Sequence, residues 1–269
     1  MPPRLYDAHN HLQDERLAPR LPEILESLRR EPIVRMVVNG ACEQDWPAVL
    51  ALARSCEQVL PSFGYHPWYI RERSPAWRET LVHYLDQVPS AVGEIGLDRW
   101  IKDYDFAAQQ EVFTWQLRLA AERNLPVSIH CLQAWGALFD LLRTNPLPDC
   151  GFVLHSFGGP QEMIAPLAKL GAYFSLPGYF AHERKSRQRE AFRHVPRDRL
   201  LIETDAPDQL LPEDRVKHPL ADRTGPLNHP ANLQAVYEFA AELFDTTLET
   251  LAGQVEQNFL QVFGSVRTP

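Results

Sequence analysis

Eight short runs rich in β-branched and other apolar residues recur along the chain, and most lead into a longer stretch with helical spacing. The runs are Arg4–His9, Ile33–Asn39, Val59–Gly64, Ser90–Ile95, Pro126–His130, Gly151–His155, Ala172–Leu176 and Arg199–Thr204. A strand that feeds a helix and then another strand is a β-α unit, and repeated units build a parallel sheet. Eight of them close that sheet into a barrel. Between the runs, Asp45–Glu57, Ala76–Gln87, Phe106–Asn124, Ala134–Thr144 and Gln161–Leu170 carry apolar residues at helical intervals and are expected to form the outer ring. Pro126 ends one helix and allows the strand Val127-Ser128-Ile129 to begin. Phe239, Leu243, Leu251, Val255, Phe259 and Val262 predict two closing helices and no second sheet. The 23 prolines are dispersed and no Gly/Ser tract divides the chain, so the expectation is one α/β domain over 1–269, a TIM (β/α)8 barrel.

Composition limits the partners. Apolar residues make up 45% and charged residues 23%, enough for a large core and too apolar for disorder. With 27 basic against 35 acidic side chains the net charge is −8, which excludes a nucleic-acid coat protein. No apolar run approaches the roughly 20 residues that span a bilayer, and Met-Pro-Pro-Arg is not a signal peptide, so no membrane partner and a cytoplasmic location are expected. Cys42, Cys56, Cys131 and Cys150 lack CxxC spacing and read as buried or free thiols in a reducing compartment. The irregular stretch from about Ala206 to Pro230 is long enough to suggest a functional loop.

Four of the ten histidines end or closely follow predicted strands: His9 with His11, His130 and His155. In a β/α barrel the C-terminal strand ends gather around one point, and residues two apart on a strand face the same way. His9 and His11 can therefore share an ion, with Asp7 below them on the same face. Glu94 in Gly93-Glu94-Ile95-Gly96-Leu97-Asp98 ends the fourth strand and can bridge two ions; Asp205 closes Leu201-Ile202-Glu203-Thr204-Asp205, with Glu203 on its face. Each carboxylate alone is explained by a cap or a turn. Six such residues at the ends of five strands are not, because burying ionisable groups together is costly unless they are paired or bind metal.

Asp7-Ala8-His9-Asn10-His11-Leu12, the Gly-Glu-Ile-Gly-Leu-Asp run, Leu125-Pro126-Val127-Ser128-Ile129-His130, His155-Ser156-Phe157-Gly158-Gly159 and Glu203-Thr204-Asp205-Ala206-Pro207 together resemble the TatD family of metal-dependent hydrolases, in that family's order and spacing from Asp7 to about Leu233. The resemblance implies an amidohydrolase-like TIM barrel, one or two divalent metals (Zn, Mg or Mn) and often a DNase activity. It implies that His9, His11, Glu94 and Asp205 hold one metal and that Glu94 bridges to a second held by His130 and His155. Two ions so placed activate a water and neutralise charge on the attacked group. Asp205 is then the candidate general base, and Glu94 and His66 complete the catalytic set. Gly64-Tyr65-His66-Pro67 also matches, and His66 is expected to orient substrate or donate a hydrogen bond to a phosphoryl oxygen; a structural histidine is the other reading. Asn228 and Arg99 are the remaining candidate substrate contacts. His83, His182, His194 and His218 are read as ordinary polar residues.

The sequence departs from the family twice. Leu132 stands two residues after His130 where an arginine is common, and Leu227-Asn228-His229-Pro230 stands where Arg-Asn-Glu-Pro is usual. Arginine and lysine fix phosphates and supply most nucleic-acid affinity, so a less positive mouth is expected. Arg99, Lys102, Arg184, Lys185, Arg187 and Arg189 are possible replacements, although Arg184–Arg189 reads as a solvated helix face. The partner is thus DNA, a nucleotide or another small-molecule ester, acted on by a monomer or small homo-oligomer. Alternatives are a hydrolase of an amide, ester or lactone, and a metal-binding protein without turnover.

Overall fold

The computed structural model describes residues 3–266; the ends of the expected domain, residues 1–2 and 267–269, lie outside them. Eight parallel strands lie in sequence order, each paired with the next: β1 Leu5–Asn10, β2 Ile33–Asn39, β3 Val59–Phe63, β4 Ala91–Asp98, β5 Val127–Leu132, β6 Phe152–Leu154, β7 Ala172–Pro177 and β8 Leu200–Glu203. Every residue of β1, β3, β4, β6, β7 and β8 is buried. That pattern belongs to a sheet covered on both faces. The barrel closes between β8 and β1 just beyond the ladder. There the Asp205 N–H donates to the His9 carbonyl at 2.9 Å and the His11 N–H to the Ala206 carbonyl at 2.7 Å. Beneath this seam the Asp7 carboxylate accepts the Thr204 N–H at 3.0 Å and its hydroxyl at 2.6 Å.

Eight helices follow the eight strands: α1 Leu21–Arg30, α2 Trp46–Ser55, α3 Trp77–Gln87, α4 Phe106–Arg123, α5 Trp135–Thr144, α6 Ile164–Lys169, α7 Ser186–Phe192 and α8 Leu233–Leu243; α9 Leu248–Phe263 packs beside α8. In α4 the buried face includes Val112, Phe113, Leu117 and Ala120, at helical spacing, and each large apolar side chain so buried contributes about 1.5–3 kcal/mol. Asp105 starts this helix by accepting the Ala108 N–H, and Asn124 ends it in the left-handed conformation. The pair α8 and α9 corresponds to the expected closing helices. No helix among the described residues is long and apolar enough to cross a membrane.

Two expectations need correction. Helix α1 was not among the expected elements, although Leu21, Ile24, Leu25 and Leu28 recur at helical spacing and pack on the core. A second sheet does exist: β9 Pro219–Asp222 and β10 Gly225–Asn228 form an antiparallel hairpin inside the long loop. Its turn rests on Asp222, whose carboxylate accepts from the N–H groups of Thr224 and Gly225 and from the Thr224 hydroxyl. Across the hairpin Leu227 faces Leu220, and both are buried. Leu227 therefore packs the loop and does not line the mouth.

One close approach sets the geometry of the site. A Cβ on Gly96 would lie 2.1 Å from the His130 carbonyl oxygen, so only glycine lets β4 and β5 meet where Glu94 and His130 project.

Candidate metal centre

Glu94 lies at the middle of the mouth, buried, with each carboxylate oxygen turned to a different set of imidazoles. Its Oε2 is 3.2 Å from His11 Nε2 and 3.4 Å from His9 Nε2. Its Oε1 is 2.8 Å from His155 Nε2, 3.2 Å from His130 Nδ1 and 3.4 Å from His66 Nε2. Asp205 adds Oδ1 at 3.7 Å from both His9 Nε2 and His11 Nε2. The six residues expected to converge do so, and His66 joins them.

The donor chemistry fits a divalent cation. His9 Nε2 faces His11 Nε2 at 3.2 Å, and His130 Nδ1 faces His155 Nε2 at the same distance. Imidazole nitrogens and carboxylate oxygens crowded together in a buried pocket are the donor set that a divalent cation takes. His9, His11 and Asp205 form one group of donors close enough to hold an ion; His9, His155 and Glu203 form another, and His66, Glu94 and His130 a third.

The outer partners decide which nitrogen each ring presents. His11 Nδ1 donates to the Asn39 carbonyl at 2.8 Å, which leaves Nε2 as a lone pair facing Glu94 and Asp205. His130 Nε2 is held by Asp98 Oδ2 at 2.9 Å, so Nδ1 faces inward. His9 Nδ1 lies 2.8 Å from the Ser128 hydroxyl and 3.1 Å from the Asn39 amide nitrogen. His155 Nδ1 is buried without a hydrogen-bond partner, 3.9 Å from Glu203 Oε1. His66 is different: its Nδ1 accepts the Trp68 N–H at 3.2 Å, so in the neutral ring the proton sits on Nε2. It offers a donor to the pocket and not a lone pair. Burial, strengthened by neighbouring His130, lowers its pKa to about 4 and keeps it neutral.

Electrostatics follow from the crowding. Burial works against the charge of Glu94, yet the surrounding imidazoles, His155 first, hold it well below the usual range. Burial likewise opposes a charged His130, but the hydrogen bonds to Asp98 and Glu94 raise it to about 9, and Asp98 falls to about 2 in return. Asp205 is raised to about 7 by burial, which outweighs its histidine neighbours. Its Oδ2 accepts the Gln209 amide at 2.7 Å, leaving Oδ1 toward His9 and His11. Glu203, fully buried, is raised to about 8 by burial and accepts the Ser156 N–H at 2.7 Å and the Ser175 hydroxyl. Asp7 is pushed up to about 6 by burial while its bonds to Thr204 work the other way.

The loops here hold unusual backbone. Among the described residues, five of the seven non-glycine residues with positive φ, Asp103, Gln133, Ser156, Asp205 and Gln209, lie in loops at the C-terminal ends of the strands. Asp205 itself, at φ 51°, is turned so that its carboxylate enters the pocket directly after β8.

Of the two other expected substrate contacts, Asn228 turns inward and Arg99 is engaged by an aromatic ring. Asn228 is fully buried; its amide donates to the Thr204 carbonyl at 2.8 Å, and its N–H to the Pro207 carbonyl at 2.8 Å. Its role is to fix the chain around Asp205, and it cannot reach substrate. Arg99 does follow β4, but its guanidinium stacks 3.9 Å over the Phe106 ring. Of the histidines set aside, His182 bonds the Leu210 carbonyl at 3.1 Å and His218 lies 3.3 Å from Glu31, both away from the centre, and His83 and His194 lie on α3 and beside α7.

Asp98, Ser128 and Asn39 were not singled out from sequence. The signal was present for two of them. Glu94 and Asp98 are four apart on β4, and Ser128 and His130 two apart on β5, so the period-2 rule that joins His9 to His11 also joins these pairs. Asn39 accepts from His11 through its main-chain carbonyl, which no side-chain pattern announces.

A protein-family model described as "TatD related DNase" matches residues 6–264. An uncharacterised metal-dependent hydrolase, YabD of Bacillus subtilis, is 31% identical over 263 residues, covering 96% of this chain and 98% of the relative. A protein of Edwardsiella piscicida named as the 3'-5' ssDNA/RNA exonuclease TatD is 34% identical over 257 residues, covering 90% and 93%. The crystal structure of YjjV, a TatD homologue from Escherichia coli, superposes with a TM-score of 0.88 at 27% identity, covering 98% of this chain and 99% of that one.

Proposed function

Because the chain belongs to the TatD-related DNase family and is a metal-dependent hydrolase of that family, we propose that it hydrolyses phosphodiester bonds at a single-stranded nucleic-acid end or in a nucleotide, using divalent metal held by His9, His11, Glu94, His130, His155 and Asp205. The observation that carries the reading is the Glu94 carboxylate, whose two oxygens face two separate sets of imidazoles. Zinc, magnesium or manganese bound there supplies Lewis acidity, acidifying water and offsetting phosphoryl charge.

The protein's own groups then have separate tasks. Glu94 holds the two sets of donors at a fixed spacing. Asp205 Oδ1, free of Gln209, takes a proton from the attacking water. His66 donates Nε2–H to a non-bridging oxygen of the substrate, since its Nδ1 is committed to Trp68. Asp98 fixes the His130 ring and Asn39 the His11 ring. The four cysteines are free thiols, three of them buried, which supports a reducing cytoplasmic compartment. Residues 1–269 act as one domain in a monomer or small homo-oligomer.

Chelated protein reconstituted with magnesium, manganese or zinc should be assayed on a single-stranded oligonucleotide and on a panel of carboxylic esters, amides and lactones. Metal-restored release of nucleotides with little turnover of the panel is the expected result. The reverse preference would move the substrate to a carbonyl compound, and metal uptake without turnover of anything would leave a binding protein.

A further inference from the structure

Resting on the nucleic-acid reading above, we propose that Trp68 and Trp100 form a stacking subsite that seats the unpaired terminal nucleobase of a single-stranded end beside the Glu94-centred cluster. Of the five large apolar side chains that are strongly exposed among the described residues, four lie at or just after the C-terminal ends of β3, β4 and β5: Trp68 at 47%, Trp100 at 64%, Tyr104 at 40% and Leu132 at 39%. Leu260, on α9, is the fifth. Chance exposure scatters such residues over a surface, and here they gather at the ends of the strands that lead to His66 and carry Glu94 and His130.

Asp98 joins this wall to the site. Its Oδ2 accepts the Trp68 indole N–H at 2.7 Å and also meets His130 Nε2 at 2.9 Å, while its Oδ1 accepts the Trp100 N–H at 2.6 Å. The Trp68 ring centroid is 5.2 Å from that of His66 and 6.3 Å from that of His130. One carboxylate thus orients an inner imidazole, an indole and the backbone of a second indole-bearing residue. A base on the Trp68 ring lies beside the His66 imidazole.

Charge favours a base over a phosphate as the group this wall binds. Several cations of the surrounding loops are engaged: Arg16 is forked onto Asp208 at 2.7 and 2.9 Å and also bonds Asp14, and Arg99 covers Phe106. Arg184 and Lys185 lie over the Tyr179 ring. Lys102 and Arg71 remain beside the wall, but in a protein of net charge −8 with its other loop cations engaged, phosphate contacts alone supply little affinity for a nucleic acid. Stacking on aromatic rings supplies it, and only unpaired bases present a free face.

The test uses a fluorescein-labelled oligothymidylate and the same oligomer with abasic residues at both ends. Anisotropy titrations of chelated protein read binding, and metal-restored protein gives KM and kcat for each probe. Wild type should bind the base-ended probe on the order of ten-fold tighter than the abasic one. Trp100→Ala should bring that ratio close to one, and Trp100→Phe should restore most of it; Trp100 is largely outside the core, so its loss should leave the melting temperature unchanged. Trp68→Ala should act in the same direction. A wild-type protein that cleaves both probes but does not distinguish them, or a Trp100→Ala variant that keeps the full ratio, overturns the subsite and leaves the nuclease reading standing. Wild type that neither binds nor cleaves either probe overturns the nuclease reading, and the subsite with it.

Discussion

On the β8–β1 side of the mouth, Asp7, Thr204, Asp205 and Asn228 are buried and tied to neighbouring side chains or backbone, with Asp205 Oδ1 left facing His9 and His11. On the β3–β5 side, Trp68, Trp100 and Leu132 stand open to solvent above Asp98. The first side is built at the cost of burying carboxylates, and the hydrogen bonds that offset it leave no freedom. The second side spends little on order and exposes apolar surface that a folded monomer gains nothing from. The contrast separates chemistry from recognition: groups that move protons must be fixed to a fraction of an ångström, whereas a stacking surface tolerates variation in what it covers.

The largest effect that tests this division is at Asp205. Asp205→Asn keeps the shape and an oxygen for Gln209 but removes the base, so turnover should fall by about 10² to 10⁴ while metal content, read by elemental analysis on the same preparation, stays near wild type. Activity within a few-fold of wild type would take proton transfer away from the β8–β1 side.

What could be read from sequence divides along the same line. The barrel and the inward donors were legible because strand alternation and the placement of ionisable residues at strand ends are periodic signals, and His9, His11, Glu94, His130, His155 and Asp205 all carry them. Asp98 obeys the same period from Glu94, but a single Asp beside a loop also reads as a turn former. The misassignment of Asn228 has another cause: its position in a long loop suggested exposure, whereas the hairpin folds that loop inward and turns the amide to Thr204. The exposed wall was invisible because Trp68, Trp100 and Leu132 stand at the ends of three different strands, which only the closed barrel brings to one side of the mouth.

A middle-sized effect concerns protons. A group whose pKa is raised on folding stabilises the fold fully below its unfolded value, and that contribution is lost as pH rises through the folded value. His130 goes from 6.5 to about 9, where burial opposes the charge but Asp98 and Glu94 outweigh it, and Glu203 goes from 4.5 to about 8 through burial. Between about pH 7 and 9 the metal-free protein should therefore lose stability, its melting temperature falling by roughly a few degrees. Asp98, lowered from 3.8 to about 2 in spite of burial, contributes throughout that window and adds no slope. Metal competes with the protons on the inward donors, so the rise in melting temperature on adding magnesium or manganese should grow across the same range. Trp100→Ala should leave this slope as it is. A melting temperature of the chelated protein that rises from pH 7 to 9 would mean that the buried side is not protonated as its contacts require.

The smallest effect belongs to Leu132. It ends β5, opposite Asp98 in the ladder, and is 39% exposed. Leu227, the other leucine at a position where the family often has arginine, is buried against Leu220, so restoring charge there would disrupt packing and test nothing about phosphate. Leu132→Arg instead places a guanidinium on the open wall without emptying the core. One added phosphate contact on a single strand steepens the dependence of log K on log salt by about 0.7. Affinity for an oligothymidylate should rise a few-fold at low ionic strength and return toward wild type as salt increases, while the preference for a base over an abasic end persists. If the wild-type slope is already as steep as that of a basic nuclease, other cations such as Lys102 reach the phosphates, and the open wall binds nucleic acid by charge more than by stacking. A slope unchanged in the Leu132→Arg variant would place the strand's path away from β5 altogether, and the contrast between the two sides would have to be redrawn with recognition on another loop.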